Sequence, residues 1–434
     1  MTTLWCEYAW LADGVAAAVR IEVGGGVLVS VTPDAPREGT VLSGLALPGF
    51  ANCHSHAFHR ALRGRTHHER GTFWTWRDRM YALSERLDPD SYHRLARGVF
   101  AEMVLAGYTS VGEFHYLHHA PGGKPYADPN AMGQAMVSAA TDAGIRLTLL
   151  DTCYLAGGFD RALTAPQRRF ADADGTAWAE RVDSFAPEGE HVRIGAGVHS
   201  VRAVPRAQLP VVAEWAGERP LHVHLSEQRA ENTDCLLQYG RTPTALLAEA
   251  GVLSEHTVAV HATHLTRRDI GLLARARTRA CFCPTTERDL GDGIGPARAL
   301  ADARVRLCLG SDSHAVIDPL EEARALELDD RLAAQARGRF TARELIAAAT
   351  DHEAIGWGEA GVLSAGRAAD LVVVSLASPR TAGIEPDGVL FAASAPDVTD
   401  VLVAGRWVVR DGVHQLVERP ASVLAQEVEA LWQS

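Results

Sequence analysis

The stretch LPGFANCHSH, residues 47–56, is a mostly apolar run that opens on a Pro-Gly turn signal and ends in two histidines one residue apart. Such a run predicts a short buried strand. Side chains at positions i and i+2 of a strand point to the same face, so His54 and His56 can both reach one metal ion. A pair of histidines is weak evidence for a metal site by itself, and the interpretation depends on later segments of the chain.

Three later segments place histidine or acidic residues at the end of further short apolar runs: HVHLSE at 222–227, HATH at 261–264 and GSDSH at 310–314. Helical patterns separate most of the apolar runs, which lie at 47–56, 108–116, 145–153, 192–200, 220–227, 257–265, 279–285 and 305–313. This alternation predicts an α/β fold built on a parallel (β/α)8 barrel of the TIM type. The reaction site of that fold lies at the C-terminal ends of the strands, where these side chains fall.

The clearest helical pattern begins at Asp88, a natural N-cap, and continues through Pro89 at the first helical position to Val104. Gly107 lies past its end and is typical of a helix terminus. Two long segments, 63–87 and 122–131, interrupt the alternation on the site side of the barrel. The first contains FWTWRDRMY, and both are expected to cover the site.

Both ends of the chain show strand patterns. VRIEV at 19–23 and VLVSV at 27–31 flank three glycines, which predicts a hairpin. Strand signals return at 369–374 and in a hairpin at 401–409, and Leu424, Val428 and Leu431 have the spacing of a closing helix. We therefore predict a small β-sandwich domain assembled from residues 1–46 and 361–434, with the barrel domain at 47–360.

Composition and charge limit the classes of partner. The 434 residues are 47% hydrophobic and 22% charged, enough for a large core, and the net charge is −12 with no basic run of the kind that binds nucleic acid. No apolar run has membrane-spanning length and no signal peptide is recognisable, so a cytoplasmic protein is expected.

The seven cysteines are scattered along the chain, which favours buried free thiols. Cys281 and Cys283 could be half of a thiolate metal site. The sequence has no second CxC or CxxC pair to complete such a site.

Imidazole nitrogens and a carboxylate oxygen suit Zn²⁺ or Fe²⁺. We assign His54, His56, His224 and Asp312 as the ligands, which leaves an open position at which a divalent cation can activate water at neutral pH. Another common barrel design holds two metals bridged by a carboxylated lysine. Lys124 is the only lysine and lies in a loop insertion, so the sequence favours one metal ion, with zinc ahead of iron.

Glu227 follows His224 by three residues and can shuttle a proton to the leaving group. His261 can hold the attacking water or the developing tetrahedral centre, and Asp312 can accept the proton of that water. Alone, Glu227 would be interpreted as a surface charge and His261 as a core histidine; their position at strand ends favours catalytic roles. The remaining histidines are interpreted as supporting or packing residues (His222, His264) or as surface and loop residues (His67, His68, His118, His119).

The early HxH, the HxxE, the later histidine, the GSDSH segment and the split β-domain resemble the amidohydrolase superfamily, in its single-metal deaminase branch. The segment GVLSAGRAADL at 361–371 is also typical of that superfamily. The resemblance covers essentially the whole chain. It implies a hydrolase that acts on carbon–nitrogen bonds other than peptide bonds, and a homodimer.

Four local segments, FWTWR at 73–77, GEFHY at 112–116, VHSVR at 198–202 and CPTTERDLGDG at 283–293, are similar to those of the formimidoylglutamate deiminase family within this branch. The resemblance implies hydrolytic deimination of N-formimino-L-glutamate to N-formyl-L-glutamate and ammonia, in histidine degradation. It also implies a set of substrate-binding residues, Arg77, Tyr116, His199 and Arg202. His59 is a departure, because the family carries Gln after the HSHAF segment, and the polar contact from this position is left open.

The two carboxylates of such a substrate match the positive charges of Arg77 and Arg202. A dianion bound by an acidic protein needs local cations, and the guanidinium group binds carboxylates through two parallel hydrogen bonds. The alternative role for Arg77 and Arg202 is a structural ion pair. Close analogues such as formiminoaspartate remain open as substrates.

Two other functions are compatible with parts of the sequence. A sister deaminase of a nucleobase, nucleoside or S-adenosylhomocysteine-type substrate would use aromatic stacking, with which Trp74 and Trp76 are compatible. A metal-free scaffold protein would normally lack some of the ligands, and all of the expected ligands are present in this sequence.

Overall fold

The computed structural model describes residues 1–67 and 71–433, so the predicted surface residue His68 lies outside the described residues. The chain opens with four strands: β1 (Thr2–Leu11), β2 (Gly14–Gly24), β3 (Val27–Thr32) and β4 (Thr40–Pro48). Strands β2 and β3 pair antiparallel around the glycine turn, as the sequence predicts. Gly25 and Gly26 both have positive φ angles (59° and 78°), which explains the glycines at this turn.

Eight parallel strands then form the barrel in strict chain order from β5 to β12. They are β5 (Phe50–Ser55), β6 (Tyr108–His115), β7 (Arg146–Cys153), β8 (Val192–Val198), β9 (Leu221–Leu225), β10 (Thr257–His261), β11 (Arg279–Phe282) and β12 (Leu307–Leu309). Each strand lies within one of the apolar runs, and the predicted (β/α)8 barrel is confirmed.

The barrel closes between β5 and the segment after β12. The Asp312 amide donates to the His54 carbonyl (2.9 Å) and the His56 amide donates to the Asp312 carbonyl (3.1 Å). Strand β12 ends before its apolar run does, and Gly310 follows it at a position where a Cβ atom would lie 2.7 Å from the His54 carbonyl oxygen. This close approach brings residue 312 beside the HxH segment.

Helices surround the barrel. They are α1 (Phe73–Ser84), α2 (Pro89–Leu105), α3 (Ala131–Ala143), α4 (Gly175–Asp183), α5 (Leu209–Ala216), α6 (Arg229–Tyr239), α7 (Pro243–Glu249), α8 (Arg267–Ala276), α9 (Pro284–Leu290), α10 (Ala297–Asp302), α11 (Pro319–Ala334) and α12 (Ala342–Ala349), with α13 (Pro420–Gln433) at the end of the chain. Short 3₁₀ turns occupy Ala57–Leu62, Pro166–Phe170, Arg206–Gln208, His352–Ile355, Pro386–Phe391 and Ala395–Asp397. No described helix is both long and apolar enough to span a membrane.

Helix α2 has the caps that its sequence predicts. The Asp88 side chain accepts a hydrogen bond from the Ser91 amide (2.8 Å), and Pro89 takes the first helical position. Its buried face, which includes Val99, Phe100 and Met103, packs in the main hydrophobic core between barrel and helices. The closing helix predicted from Leu424 and Leu431 is also confirmed, with both side chains buried.

Four strands from the end of the chain, β13 (Leu371–Val374), β14 (Val398–Val403), β15 (Arg406–Arg410) and β16 (Val413–His414), join the first four in one mixed sheet. Strands β13 and β4 pair antiparallel at its centre, which confirms a β-domain formed from both chain ends. Apolar side chains such as Leu4, Ile21 and Leu371 form a separate small core there. The division of the chain at residues 46 and 360 stays a prediction.

The seven cysteines are all buried and unpaired, as expected. They lie on strands or beside them, except Cys235 in α6.

Asp370 links this sheet to the barrel. Its carboxylate accepts hydrogen bonds from the Ala404 amide (2.7 Å) in the β14–β15 turn and from Arg146 at the start of β7. Its backbone carbonyl accepts from the Gly49 amide (3.2 Å) just before β5. Asp370 is 2% exposed and Arg146 7%, so both charges are buried.

We expect Asp370→Asn to lower the free energy of unfolding by about 3 kcal/mol, because the charge of Arg146 would stay buried without its partner. Urea denaturation followed by circular dichroism measures this change. As a control, Glu38→Gln removes an exposed ion pair (3.5 Å) between the β3–β4 loop and Arg20 on β2, and should cost less than about 1 kcal/mol. Equal effects of the two variants would contradict the linking role of Asp370.

Candidate metal centre and substrate cavity

Three histidines and one aspartate meet at the C-terminal mouth of the barrel. His54 Nε2 lies 3.2 Å from His56 Nε2 and 3.0 Å from His224 Nε2. Asp312 Oδ1 lies 3.4 Å from His54 Nε2 and 3.2 Å from His56 Nε2. The candidate ligand atoms of all four residues lie within 4.8 Å of one another, so the structure brings the predicted ligand set together.

Backbone carbonyls fix the orientation of two of these rings. His56 Nδ1 donates to the Phe114 carbonyl (3.0 Å), and His224 Nδ1 donates to the His199 carbonyl (2.9 Å). Since the proton of each ring is on Nδ1, each Nε2 presents a lone pair to the centre of the cluster. Such an arrangement of lone pairs is unfavourable without a cation between them, so the donor set fits a divalent metal ion.

Burial favours the neutral, metal-binding form of His54 and His224. It lowers the pKa of His54 to about 3 and holds the pKa of His224 well below its usual range. Burial opposes the charge of Asp312 as well, yet the neighbouring imidazoles of His54, His56 and His261 keep the pKa of this carboxyl well below its ordinary value. The site therefore offers neutral imidazoles and one carboxylate.

His261 and Glu227 lie beside this cluster. His261 Nε2 is 3.9 Å from Glu227 Oε1 and 3.9 Å from Asp312 Oδ2, while His261 Nδ1 donates to Glu287 Oε1 (3.3 Å). Burial disfavours the charged imidazole, but the nearby carboxylates of Glu227, Glu287 and Asp312 raise the pKa of His261 to about 10. Burial also raises the pKa of Glu227, which suits a carboxyl group that must carry a proton.

Glu287 is a supporting residue whose role the sequence did not reveal. Its Oε1 also accepts from the Cys283 amide (2.9 Å) at the start of α9, which holds the carboxylate against His261. The only signal was its place in the segment CPTTERDLGDG.

Three residues in or beside the site have left-handed backbone conformations. Ser226, His261 and Asp312 have φ angles of 52°, 67° and 41°, which are uncommon for residues other than glycine. Each lies at the end of its barrel strand or just past it, where the chain leaves the strand. Strain of this kind concentrates at functional sites.

A cavity of about 550 Å³ opens over the cluster. The predicted substrate-binding residues His59, Arg77, Tyr116, His199 and Arg202 all line it, together with Glu227 and Asp312. Helix α1 from the first insertion forms part of the wall through Trp74, Trp76 and Arg77, in agreement with the expectation that this insertion covers the site.

The two arginines differ in their partners. The Arg77 guanidinium lies 4.5 Å from the Trp74 ring centroid and 5.6 Å from that of Tyr81, and its buried Nε has no hydrogen-bond partner among the described residues. Arg202 Nε donates to Glu231 Oε2 (2.8 Å), so this arginine does form the structural ion pair considered as an alternative. Glu231 also accepts from the Ser226 amide (2.9 Å), and the pair thereby fixes Arg202 in the cavity wall.

His59 lies between the metal cluster and helix α1. Its Nε2 lies 2.8 Å from the Tyr116 hydroxyl oxygen, and its ring centroid is 4.6 Å from that of His56 and 5.1 Å from that of Trp76. Its buried Nδ1 has no partner among the described residues.

The histidines predicted to be supporting or surface residues differ in burial. His222 donates to the Ala354 carbonyl (3.0 Å) and is fully buried, whereas His264 is partly exposed and does not line the cavity. His67 is a surface residue that pairs with Asp289 (2.7 Å).

The prediction that His118 and His119 are surface or loop residues is wrong in one respect, because they are only 1% and 5% exposed. His118 donates to the Thr152 carbonyl (3.0 Å), and the backbone amide of His119 donates to the Arg169 carbonyl (2.9 Å), which folds this loop inward. His118 also lies near His115 and Asp151. The carboxylate of Asp151 is already occupied by Arg181 and Trp178, so we do not interpret this group as a metal site.

Comparison with known proteins places the chain in a family. The model of the Amidohydrolase family matches residues 45–408. The chain belongs to the amidohydrolase family. It is 39% identical to a formimidoylglutamate deiminase of Pseudomonas aeruginosa, over 98% of each chain. A 5-methylthioadenosine/S-adenosylhomocysteine deaminase of Pelotomaculum thermopropionicum is 26% identical over 91% of this chain and 89% of its own.

Among solved structures, an amidohydrolase from Brucella melitensis superposes with a TM-score of 0.91 at 32% identity, with 100% of both chains covered. This amidohydrolase therefore shares the fold of its relatives over its whole length, including the sheet formed from both chain ends.

We expect His224→Ala to lose most of the bound metal, because one of the converging Nε2 atoms is removed. Elemental analysis of the dialysed protein measures the metal content. His264→Ala is the matched control, since His264 lies outside the cavity, and it should keep the metal of the wild type. Wild-type metal content in His224→Ala would contradict the assignment.

Proposed function

We propose that this amidohydrolase hydrolyses N-formimino-L-glutamate to N-formyl-L-glutamate and ammonia, a reaction of histidine degradation. The enzyme is a hydrolase of carbon–nitrogen bonds other than peptide bonds. The observation that carries the proposal is that Arg77 and Arg202 line the same cavity as Glu227 and the metal-ligand cluster. The identity of 39% to a formimidoylglutamate deiminase over nearly the whole chain supports the same reaction.

In this proposal His54, His56, His224 and Asp312 hold one divalent cation, with Zn²⁺ ahead of Fe²⁺. Three imidazole nitrogens and one carboxylate oxygen are the ligands that these ions prefer. Lys124, the only lysine, forms a β-bridge with Ala120 in a loop, which gives no support to a lysine-bridged pair of metals. The bound cation would activate a water molecule for attack on the formimino carbon at neutral pH.

The residues of the chain move the protons. Asp312 Oδ2 faces His261 and accepts the proton that the attacking water loses. Glu227, whose buried carboxyl has a raised pKa, donates a proton to the formimino nitrogen. The proton held by Asp312 then passes to the same nitrogen, which leaves as ammonia, while the hydroxyl of the tetrahedral centre returns a proton to Glu227 as the formyl carbonyl forms. His261 donates a hydrogen bond to the oxygen of the tetrahedral centre and is held in place by Glu287.

Substrate binding depends on charge. Formiminoglutamate carries two carboxylates, and Arg77 and Arg202 supply two cations in the cavity wall. Tyr116 and His199 supply neutral polar contacts, since burial keeps the His199 imidazole uncharged by lowering its pKa. His59 is proposed to act together with Tyr116, because the two side chains are hydrogen-bonded.

A cytoplasmic location and a homodimer are part of the proposal. Seven free thiols and no disulfide among the described residues are typical of a reducing compartment. Leu332 is 75% exposed and Ile294 46% exposed, and both line one surface groove, as side chains at a subunit interface often do.

The alternative substrates are nucleobases, nucleosides and S-adenosylhomocysteine, for which stacking on Trp74 or Trp76 would be the favourable contact. The test is ammonia release by the purified enzyme from formiminoglutamate, formiminoaspartate, guanine, adenosine and S-adenosylhomocysteine. We expect the highest kcat/KM with formiminoglutamate. Higher kcat/KM with any of the three purine compounds would overturn the proposal in favour of the sister deaminases.

We expect Glu227→Gln to reduce kcat by roughly 10²-fold or more with unchanged metal content, because the amide cannot deliver a proton. Steady-state kinetics and elemental analysis on the same preparation measure both quantities. Glu218→Gln, a change at an exposed carboxylate, serves as the control and should keep wild-type activity. Residual activity above about a tenth in Glu227→Gln would remove this residue from the proton transfer.

Arg202→Ala should raise KM for formiminoglutamate by about tenfold or more with a smaller change in kcat, because a charge-assisted contact to a carboxylate is lost. Arg206→Ala is the matched control, since Arg206 pairs with Glu249 (3.4 Å) on the surface and does not line the cavity. An unchanged KM in Arg202→Ala would exclude Arg202 from the carboxylate contacts.

A further inference from the structure

Gln167 is a buried amide in the cavity wall whose orientation is fixed by its neighbours. It lies in the 3₁₀ turn Pro166–Phe170 and is 3% exposed. Its Oε1 accepts hydrogen bonds from the Thr164 amide (2.8 Å) and the Thr164 hydroxyl (2.9 Å). A flipped amide would place NH₂ against the backbone N–H of Thr164, so Nε2 must face the opposite side.

On that side Nε2 donates to two phenol oxygens, the Tyr154 hydroxyl (2.8 Å) and the Tyr81 hydroxyl (3.1 Å). Since each phenol oxygen accepts from Gln167, each phenol keeps its own proton to donate. The two hydroxyls lie close enough for one to donate to the other. No other acceptor for either proton is present among the described residues, so at least one O–H remains available to a ligand.

Both phenols belong to the same cavity as the metal cluster, but lie farther out. Tyr154 follows β7, and its ring centroid is 4.6 Å from that of His199, which in turn is 5.2 Å from that of His224. Tyr81 lies on α1, one helical turn after Arg77. Tyr154 is therefore separated from the candidate metal ligands by one ring, at a distance suited to the far end of an extended substrate.

The charge around the two phenols is positive. The Arg77 guanidinium lies 5.6 Å from the ring centroid of Tyr81, and the positive charge of Arg202 acts on Tyr154. Burial nevertheless raises the pKa of Tyr154, so its phenol stays a protonated donor. The cavity wall thus combines two cations with hydroxyl donors that Gln167 holds in place.

We propose that Tyr81 and Tyr154, oriented by Gln167, form a donor subsite for the side-chain carboxylate of the substrate. The inference rests on the proposed function and assigns the end of the substrate that this part of the cavity binds. A carboxylate presents only acceptors to these donors, whereas a carboxamide can present its own N–H groups. The subsite therefore selects dicarboxylates over their side-chain amides.

The test compares the wild type, Tyr81→Phe and Tyr154→Phe, with Tyr8→Phe as the control for loss of a phenol hydroxyl on β1, away from the cavity. Steady-state kinetics use N-formimino-L-glutamate and its side-chain amide, N-formimino-L-glutamine. We expect each cavity variant to lose about tenfold in kcat/KM for the acid, through KM, with kcat nearly unchanged. The preference for acid over amide should fall by a similar factor.

Gln167→Glu is a second, nearly isosteric variant. The carboxylate of the new Glu side chain accepts hydrogen bonds from the two phenols, to which the Gln amide donates. The phenol protons then point to this carboxylate and away from the ligand, and the cavity wall gains a negative charge. We expect a larger rise in KM for the acid than in either tyrosine variant. Thermal unfolding of each variant checks that the fold is kept.

Binding of glutarate, measured by calorimetry, gives a readout that does not need turnover. We expect wild type to bind glutarate about tenfold more tightly than either Tyr81→Phe or Tyr154→Phe. Unchanged KM, acid preference and glutarate affinity in both tyrosine variants would overturn the subsite. A wild type that binds glutarate with this dependence on Tyr154 but does not release ammonia from formiminoglutamate would overturn the proposed reaction and keep the subsite.

Discussion

Two backbone hydrogen bonds between Asp312 and the His54–His56 segment close the barrel, and the site depends on them. Without this closure the first and last barrel strands would end apart, and the carboxylate of Asp312 could not lie 3.2 Å from His56 Nε2. Gly310 permits the close approach, because any Cβ there would meet the backbone of His54. The same contact therefore completes the fold and assembles the candidate metal ligands.

The fold and the inner part of the site could be predicted from sequence because both follow from periodic patterns. All eight barrel strands lie within the apolar runs, and parallel strands place their ends at one mouth. Residues at the ends of β5, β9 and β12 therefore had to converge. The start of helix α2 could also be predicted, because Asp88 and Pro89 act within the first turn of the helix itself.

The rest depends on contacts between segments far apart in sequence. His118 and His119 lie in a loop, yet Arg169 and Thr152 bind this loop from other segments and bury it. Arg202 lines the cavity and at the same time donates a hydrogen bond to Glu231. The sequence separation of these two residues gives no indication that they pair. Gln167 looks like an ordinary turn residue, and its role is visible only because Tyr81 and Tyr154 approach it from separate elements.

The central claim is that four side chains from the ends of three barrel strands, β5, β9 and β12, share one divalent cation. Anomalous diffraction from crystals of the purified protein, recorded above and below the zinc absorption edge, tests it most directly. The account predicts a single peak above the edge, in contact with Nε2 of His54, His56 and His224 and the carboxylate of Asp312. No transition-metal peak among these side chains, or a second peak beside the first, would contradict it.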